Sequence, residues 1–207
     1  MSERIVYFNG AFVPAGAAKV SVFDAGLLHG ASVFTTMLAH NGRPFRLDRH
    51  LDRLFGDAER IGLAHAGGRE ELAAAAAELP ARNDLTEARL RITLTPGTAD
   101  PQGPPTTAIT AAPFANPPEW YERGLDVMIS SVREYEGNPL LGVKTGCYLP
   151  RMLARRAAAE VGADEALWLT ATGRLAEGCF CNVFLVREGK VATPIVEIKN
   201  LNSFRAV

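Results

Sequence analysis

The sequence predicts an α+β fold in two parts, and three observations lead to this prediction. The chain has 207 residues, 47% of them hydrophobic, which is enough to bury a core without disulfides or a structural metal. Strand patterns form mixed groups from which the helical patterns are segregated. Residues 113–120 hold three prolines and have the composition of an interdomain linker. We therefore predict one domain over residues 1–115 and a second over residues 116–207.

Composition and charge exclude several functional classes. A net charge of −1 gives no basic face for nucleic acid or for an anionic membrane. No apolar run is long enough to span a bilayer, and the first ten residues lack the apolar core of a signal peptide. Three cysteines, an odd number, argue against a secreted disulfide framework. We expect a cytoplasmic protein with small-molecule partners.

The N-terminal part begins with a hairpin signal and continues with alternating strands and amphipathic helices. Asn9-Gly10 supplies the positive φ of a tight turn between apolar residues 5–8 and 12–13. Residues 32–38 alternate between two faces, which predicts a strand, and Asp48 is a predicted N-cap. The elements expected after that strand are a returning strand at 44–47, helices over 48–61 and 69–79, and strands over 88–94 and 106–112. The apolar stripe of the first helix consists of Leu51, Leu54, Phe55, Ala58 and Ile61.

The second part has fewer but similar signals. The predicted elements are a strand near 124–131, a helix over about 150–161, a strand over 164–170, a turn at Thr172-Gly173 and a strand over 179–186. Pro150 is placed where it helps a helix to start. No internal repeat is visible.

Three charged residues stand in unusual settings. Lys144 lies between apolar residues and glycines, where desolvation would disfavour its charged form and make it a candidate nucleophile, although most lysines are surface residues. Glu177 heads a mostly apolar stretch, so it either protects a sheet edge or pairs with a buried cation. Arg53 falls opposite the apolar stripe of its helix, which is typical of a solvated face.

The sequence predicts no metal site. Cys147, Cys179 and Cys181 could be imagined as ligands, but no fourth ligand with suitable spacing is present. The four histidines form no cluster, and we expect His50 to hydrogen-bond at the start of its helix.

Several ordered motifs resemble those of the class IV (fold type IV) pyridoxal-phosphate enzymes, which include branched-chain aminotransferases, D-amino-acid aminotransferases and aminodeoxychorismate lyase. The N-terminal motifs are Tyr7-Phe-Asn-Gly, Phe23-Asp-Ala-Gly-Leu-Leu-His-Gly30, Ser32-Val-Phe34 and Phe45-Arg-Leu-Asp-Arg-His-Leu-Asp-Arg-Leu54. The C-terminal motifs are Lys144-Thr-Gly-Cys-Tyr-Leu-Pro, Gly162-Ala-Asp-Glu-Ala-Leu167, Glu177-Gly-Cys-Phe-Cys-Asn-Val-Phe and Thr193-Pro194. Their order and spacing over about 190 residues argue against chance similarity.

This resemblance implies a fold and a cofactor. The fold would be a small N-terminal α/β sandwich domain followed by a larger, mixed-β, cofactor-binding domain. The cofactor would be pyridoxal 5'-phosphate, in an active site between the two domains that a homodimer partner completes.

The resemblance also implies a role for each matching residue. Lys144 would be the catalytic lysine that forms the Schiff base, and Glu177 would face the pyridine nitrogen. Arg53 would bind the phosphate. The other residues implied to bind the cofactor are Tyr148, through its phenolic oxygen, and Asn182. The residues implied to bind substrate are Phe34, Thr36 and Arg91.

Two positions depart from the family pattern. Position 38 is Leu, where many relatives place Arg or Lys, so the mode of carboxylate recognition stays open. After Thr193-Pro194 the family continues into a Leu-Pro-Gly-Ile-Thr-Arg-like turn that holds the phosphate, whereas residues 195–207 contain no such motif. We therefore expect a truncated or partial C-terminal domain.

Three functions follow from these observations. The first is an aminotransferase that moves an amino group between an amino acid and a 2-oxo acid. The second is an aminodeoxychorismate lyase releasing 4-aminobenzoate and pyruvate, which the stretch Phe34-Thr-Thr36 favours. The third is an inactive, truncated family member.

Overall fold

The computed structural model describes residues 3–98 and 103–194, together with the backbone of residues 204–206. The chain divides into two compact units. The first comprises Met1–Asn116 with Val143–Cys147, and the second comprises Pro117–Gly142 with Tyr148–Val207. The short segment that contains Lys144 therefore belongs to the first unit, although it lies far along the chain.

A six-stranded antiparallel sheet forms the first unit, with strand order β2-β1-β6-β5-β3-β4. The strands are β1 (Ile5–Phe8), β2 (Ala11–Pro14), β3 (Val33–His40), β4 (Arg43–Pro44), β5 (Ala88–Thr95) and β6 (Thr106–Pro113). The helices of this unit are α1 (Ala25–His29), α2 (Leu47–Arg60) and α3 (Arg69–Arg82). The predicted hairpin is confirmed, because β1 and β2 pair around a turn in which both Asn9 and Gly10 have positive φ.

The core of the first unit lies between this sheet and the helices α2 and α3. Leu51, Leu54 and Ala58 of the predicted apolar stripe are fully or almost fully buried, which confirms the stripe. The predicted N-cap is wrong: Arg46, with φ of 53°, caps α2, and Asp48 lies in the first turn. A carboxylate in the first turn still faces the positive end of the helix dipole, so the sequence signal had a physical basis.

The second face of this sheet lies opposite the helices α2 and α3 and outside the core. Residues that pair directly across two strands lie on the same face of the sheet. Phe34 pairs with Thr93, and Thr36 pairs with Arg91, so these side chains share the face opposite the helices. Leu38 follows on the same face and is 47% exposed. All three predicted substrate-binding residues therefore lie on this face.

The second unit contains two three-stranded sheets, in the orders β7-β8-β9 and β10-β11-β12. The strands are β7 (Val127–Glu134), β8 (Glu165–Thr170), β9 (Leu175–Gly178), β10 (Leu185–Arg187), β11 (Lys190–Pro194) and β12 (Phe204–Ala206), and the helices are α4 (Glu119–Arg123) and α5 (Leu149–Glu160). β7 and β8 are parallel, and α5 lies in the connection that a parallel pair requires. The α+β fold is confirmed.

The predicted strand over residues 179–186 is wrong for residues 179–184, and only Leu185 and Val186 lie in a strand, as the first residues of β10. The chain leaves β9 at Gly178 and closes a turn in which the Gly178 amide donates to the Cys181 carbonyl oxygen at 2.9 Å. Cys179 is 1% exposed and packs with Trp168 in the small core of this unit. An apolar run of this length is typical of a strand, but here only Cys179 of the run is buried, and Phe180 and Phe184 are 51% and 59% exposed.

Within the described residues, no helix combines the length and apolarity that a membrane crossing requires. Of the chain beyond Pro194, where the resemblance predicts a phosphate-binding turn, only the backbone of residues 204–206 is described.

Asp24 connects the start of α1 to the ends of two strands. It is 1% exposed, and its Oδ1 accepts a hydrogen bond from the Gly26 amide at 2.7 Å. Its Oδ2 accepts from the hydroxyls of Thr95 at 2.7 Å and Thr106 at 2.9 Å. One carboxylate thus satisfies three donors and fixes the segment that leads into β3.

We expect Asp24→Ala to lower the free energy of unfolding by roughly 2–4 kcal/mol, because two buried hydroxyls and a helix amide lose their acceptor. Urea unfolding followed by circular dichroism measures the loss. Asp48→Ala, which removes an exposed first-turn carboxylate, is the matched control and should cost less than about 1 kcal/mol. Equal losses for the two variants would contradict the role of Asp24.

Candidate active site

The segment that carries Lys144 is held against the first residues of β3. The Phe34 amide donates to the Lys144 carbonyl oxygen at 2.9 Å, and the Gly146 amide donates to the Ser32 carbonyl oxygen at 3.0 Å. Thr145 forms an antiparallel bridge with Val33 between them. The segment therefore behaves as a very short extra strand, and this pairing fixes where the Lys144 side chain starts.

Asp57 of α2 holds the same segment from a second direction. Its Oδ2 accepts a hydrogen bond from the Lys144 amide at 3.0 Å, and the residue is only 7% exposed. Gly146 permits the close approach, since a Cβ atom at that position would lie 2.1 Å from the Ser32 hydroxyl oxygen. Asp57 was not among the predicted site residues. The available signal was a charged residue beside Ala58 on the apolar stripe.

Lys144 lies beside the aromatic ring of Phe34. Its Nζ is 4.8 Å from the centre of the ring, and the guanidinium carbon of Arg91 is 3.5 Å from the same centre. Phe34 is 3% exposed, while Lys144 and Arg91 are half-buried. The structure thus gathers the predicted catalytic lysine and two predicted substrate-binding residues around one ring, with Thr36 across from Arg91 in the sheet.

Arg53 reaches from α2 to the buried hydroxyl of Thr35. Its Nη2 donates to the Thr35 Oγ1 at 2.8 Å, and it lies 3.3 Å from the His50 Nδ1. Helical spacing predicts an exposed position for Arg53, but its guanidinium is also anchored to Thr35, a strand residue that is fully buried. Arg53 therefore presents a fixed cation rather than a freely moving one.

The His50 ring completes this cluster. The His50 amide donates to the Arg46 carbonyl oxygen at 3.1 Å at the start of α2, as expected of a residue there, whereas the ring bonds to a strand: its Nδ1 lies 2.9 Å from the Thr35 Oγ1. Burial lowers the pKa of His50, and the charges of Arg53 and Lys144 lower it further. Because the guanidinium can only donate, the Nδ1 that faces it acts as an acceptor, which fits a neutral imidazole.

These residues of the first unit can bind an anion next to an amine. Arg53 and Lys144 are cations close enough to affect one imidazole, and the fully buried Thr35 hydroxyl holds the Arg53 guanidinium in place. A phosphate group suits such a donor set, because it accepts several charge-assisted hydrogen bonds at once. The amine of Lys144 can attack a carbonyl group when it is neutral.

The second unit contains a cavity of about 240 Å³. Its lining residues are Glu134, Leu141, Gly142, Ala176, Glu177, Asn182, Val183, Phe184, Thr193 and Pro194. Two predicted cofactor-binding residues, Glu177 and Asn182, thus share one cavity with a second carboxylate, that of Glu134. Burial raises the pKa of Glu134, although the nearby Arg151 charge opposes the rise.

The two interpretations left open for Glu177 are resolved in favour of a cation partner. Its Oε1 lies 2.5 Å from the Nη2 of Arg151, whose side chain is 17% exposed. Tyr148, predicted to bind the cofactor, precedes the same helix α5, and its ring lies 5.7 Å from that of Phe180. Arg151 was not predicted, since one of three arginines on an alanine-rich helix gives no signal of its own.

Comparison with known proteins identifies one family. A family model described as "Amino-transferase class IV" matches residues 32–203. A putative branched-chain-amino-acid aminotransferase from Methanocaldococcus jannaschii is 37% identical over 198 residues, which cover 92% of this chain and 68% of that protein. The aminodeoxychorismate lyase of Bacillus subtilis is 29% identical over 202 residues, or 93% of this chain and 68% of that protein.

Solved structures of branched-chain aminotransferases have the same fold. The enzyme from Escherichia coli superposes with a TM-score of 0.85 at 28% identity, covering 93% of this chain and 68% of that chain. The T.th. enzyme, solved with pyridoxamine 5'-phosphate, gives a TM-score of 0.85 at 29% identity, covering 96% of this chain and 69% of that chain.

We expect the His50 ring to titrate below its usual value of 6.5, because burial and two cations disfavour a further positive charge. Inorganic phosphate bound at Arg53 adds a negative charge beside the ring, so it should raise the His50 pKa. NMR of the ring nitrogens over about pH 5 to 8, with and without phosphate, measures both effects.

The Arg53→Gln variant is the control for this titration. It keeps a polar side chain on α2 but removes the anchored cation, so phosphate should no longer shift the His50 signals. A phosphate effect that persists in Arg53→Gln would place the anion elsewhere.

Proposed function

The chain belongs to the class IV aminotransferase family, and on that premise we propose that it moves an amino group between an amino acid and a 2-oxo acid with pyridoxal 5'-phosphate. The observation that carries the proposal is the placement of Lys144. A lysine is fixed by backbone bonds to β3 and by the Asp57 carboxylate, and its charge and that of the anchored Arg53 both act on the His50 ring. An amine and a phosphate-binding cation in one cluster are what this cofactor requires.

The residues present fit the cofactor. Bound pyridoxal phosphate supplies an aldehyde for covalent attachment and an electron-withdrawing ring that stabilises negative charge on the substrate α-carbon. Arg53, with the Thr35 hydroxyl behind it, binds the phosphate oxygens. Glu177 holds a proton at the pyridine nitrogen through its negative charge. Tyr148 and Asn182 bind the remaining polar atoms, as the resemblance implies.

Lys144 has two tasks in this proposal. Its amine would hold the cofactor, and in its free form the same amine would remove the proton from the substrate α-carbon. The position of Nζ beside the Phe34 ring places this amine against an apolar surface.

The open face of the first sheet supports an amino acid with an apolar side chain. Arg91 supplies a cation for a carboxylate, and the exposed Leu38 supplies apolar surface on the same face. Leu38 replaces a cation found there in many relatives, which leaves Arg91 as the arginine opposite Thr36. We propose branched-chain amino acids as the first donors to assay.

A lyase is the second candidate. The stretch Phe34-Thr-Thr36 and the similarity to the Bacillus subtilis aminodeoxychorismate lyase favour it. Pyruvate release from aminodeoxychorismate, measured against glutamate formation from 2-oxoglutarate and a branched-chain donor, separates the two activities. A chain that forms neither product and shows no visible absorbance with the cofactor would be an inactive family member.

We also propose a cytoplasmic setting and a homodimer. Three free cysteines suit a reducing cytoplasm. A homodimer is supported by apolar side chains in and before α1, where Val22, Phe23 and Leu27 are 66%, 66% and 64% exposed. A second copy of the chain would cover such a patch.

We expect borohydride reduction with bound cofactor to place the pyridoxyl group on Lys144 and on no other lysine. The chain has only Lys19, Lys144, Lys190 and Lys199, so peptide mapping assigns the label directly. Lys144→Ala should lose the label and the activity, whereas the exposed Lys190→Ala is the control and should keep both. A label spread over the other lysines would refute the assignment.

We expect Glu177→Gln and Arg53→Ala to affect different quantities. Glu177→Gln removes the charge that holds the ring proton, so kcat should fall more than about tenfold while the Kd for the cofactor changes less than about threefold. Arg53→Ala removes phosphate hydrogen bonds, so the Kd should rise about 10–100-fold before kcat changes at saturation. Fluorescence titration and steady-state kinetics measure the two. Full turnover by Glu177→Gln at saturating cofactor would exclude its proposed role.

A further inference from the structure

Arg151 lies between two carboxylates of the second unit. Its Nη2 is 2.5 Å from the Glu177 Oε1 and 3.8 Å from the Glu134 Oε2. The side chains of Arg151 and Glu134 are each 17% exposed, and that of Glu177 is 45% exposed. A single guanidinium therefore balances both acids that line the cavity.

Several further contacts fix the direction of this guanidinium. Its Nη1 donates to the backbone carbonyl oxygen of Gly178 at 3.1 Å. Its central carbon lies 5.0 Å from the Trp168 ring centre and 5.6 Å from that of Tyr148. Arg151 is the third residue of α5, so its backbone is also ordered. A guanidinium held by a carbonyl, two rings and a helix has little freedom to follow a moving partner.

The consequence is that Glu177 is oriented by Arg151. Glu177 is nearly half exposed, and an exposed glutamate samples many rotamers unless a partner selects one. One carboxylate oxygen is committed to the guanidinium, which leaves the other oxygen to point in a defined direction.

We propose that Arg151 is a positioning residue that directs the Glu177 carboxylate and balances its charge against that of Glu134. The inference rests on the proposed function, in which Glu177 holds a proton at the pyridine nitrogen. Arg151 itself touches neither cofactor nor substrate in this role; it acts through Glu177.

The charges around the pair explain why a cation is needed there. Glu134 experiences the negative charges of Glu177 and Glu136, and Arg151 opposes them. The Cys181 thiol also lies within reach of the Glu177 charge. Without Arg151 the two cavity carboxylates would repel each other, and one would be driven to take up a proton or to turn away.

The test is a double-mutant cycle on kcat at saturating cofactor. Arg151→Met should lower kcat about fivefold in the full chain, and Arg151→Lys should recover part of the loss. In the Glu177→Gln background the same Arg151→Met change should alter kcat by less than about twofold, because its route of action is gone. Arg156→Met, on the exposed side of the same helix, is the matched control.

A readout without cofactor separates this inference from the proposed function. Arg151→Met should raise the pKa of Glu134 further, which carbon NMR of labelled glutamate detects, whereas a merely structural arginine would leave that titration in place. The urea midpoints of the two single variants and the double variant should also be non-additive. If the chain binds no cofactor, the proposed function fails and these two measurements decide the inference alone. Additive effects with an unchanged Glu134 titration would overturn it.

Discussion

The pairing of a three-residue segment with β3 is the interaction on which the first unit's candidate site depends. Two backbone hydrogen bonds and the Asp57 carboxylate hold Lys144 beside Phe34. Each such bond contributes only about 0.5–1.5 kcal/mol net to stability. Their main effect is therefore to fix the orientation of the segment. Lys144 is 87 residues from Asp57 in sequence, and the extended segment makes this long-range contact specific. The sheet supplies a rigid strand of defined register, and pairing with it fixes the backbone of Lys144.

The sequence predicted a residue's conformation and burial best where these depend on its neighbours along the chain. The Asn9-Gly10 turn and the stripe of Leu51, Leu54 and Ala58 depend on local periodicity, and both were predicted correctly. The prediction for residues 179–184 failed, because periodicity cannot distinguish an apolar strand from an apolar turn that packs on Trp168. The contact with Trp168 makes that distinction, and a contact with a residue on another element is not visible in a local sequence pattern.

The same reasoning explains which site residues were missed. Lys144, Arg53 and Glu177 stand in recognisable motifs, whereas Asp57, His50 and Arg151 act through partners on other elements. Asp57 meets Lys144, and His50 meets Thr35 of β3. Arg151 of α5 meets Glu177 of β9. A charged residue is easily found in a sequence. The residue that it pairs with lies on another element, and the tertiary fold determines which residue that is.

The candidate site residues of the two units carry charges of opposite sign. The cluster in the first unit is positive, and the cavity of the second unit is negative. In the first unit, burial depresses the pKa of His50 and the charges of Arg53 and Lys144 depress it further, and these two cations are suited to an anion. In the second unit, two cavity carboxylates share Arg151, which leaves a local excess of negative charge suited to holding a proton on a nitrogen. A cofactor with a phosphate group and a basic ring nitrogen presents both needs in one molecule. Each cluster matches one of these two needs, and the proposed function rests on Lys144 together with both.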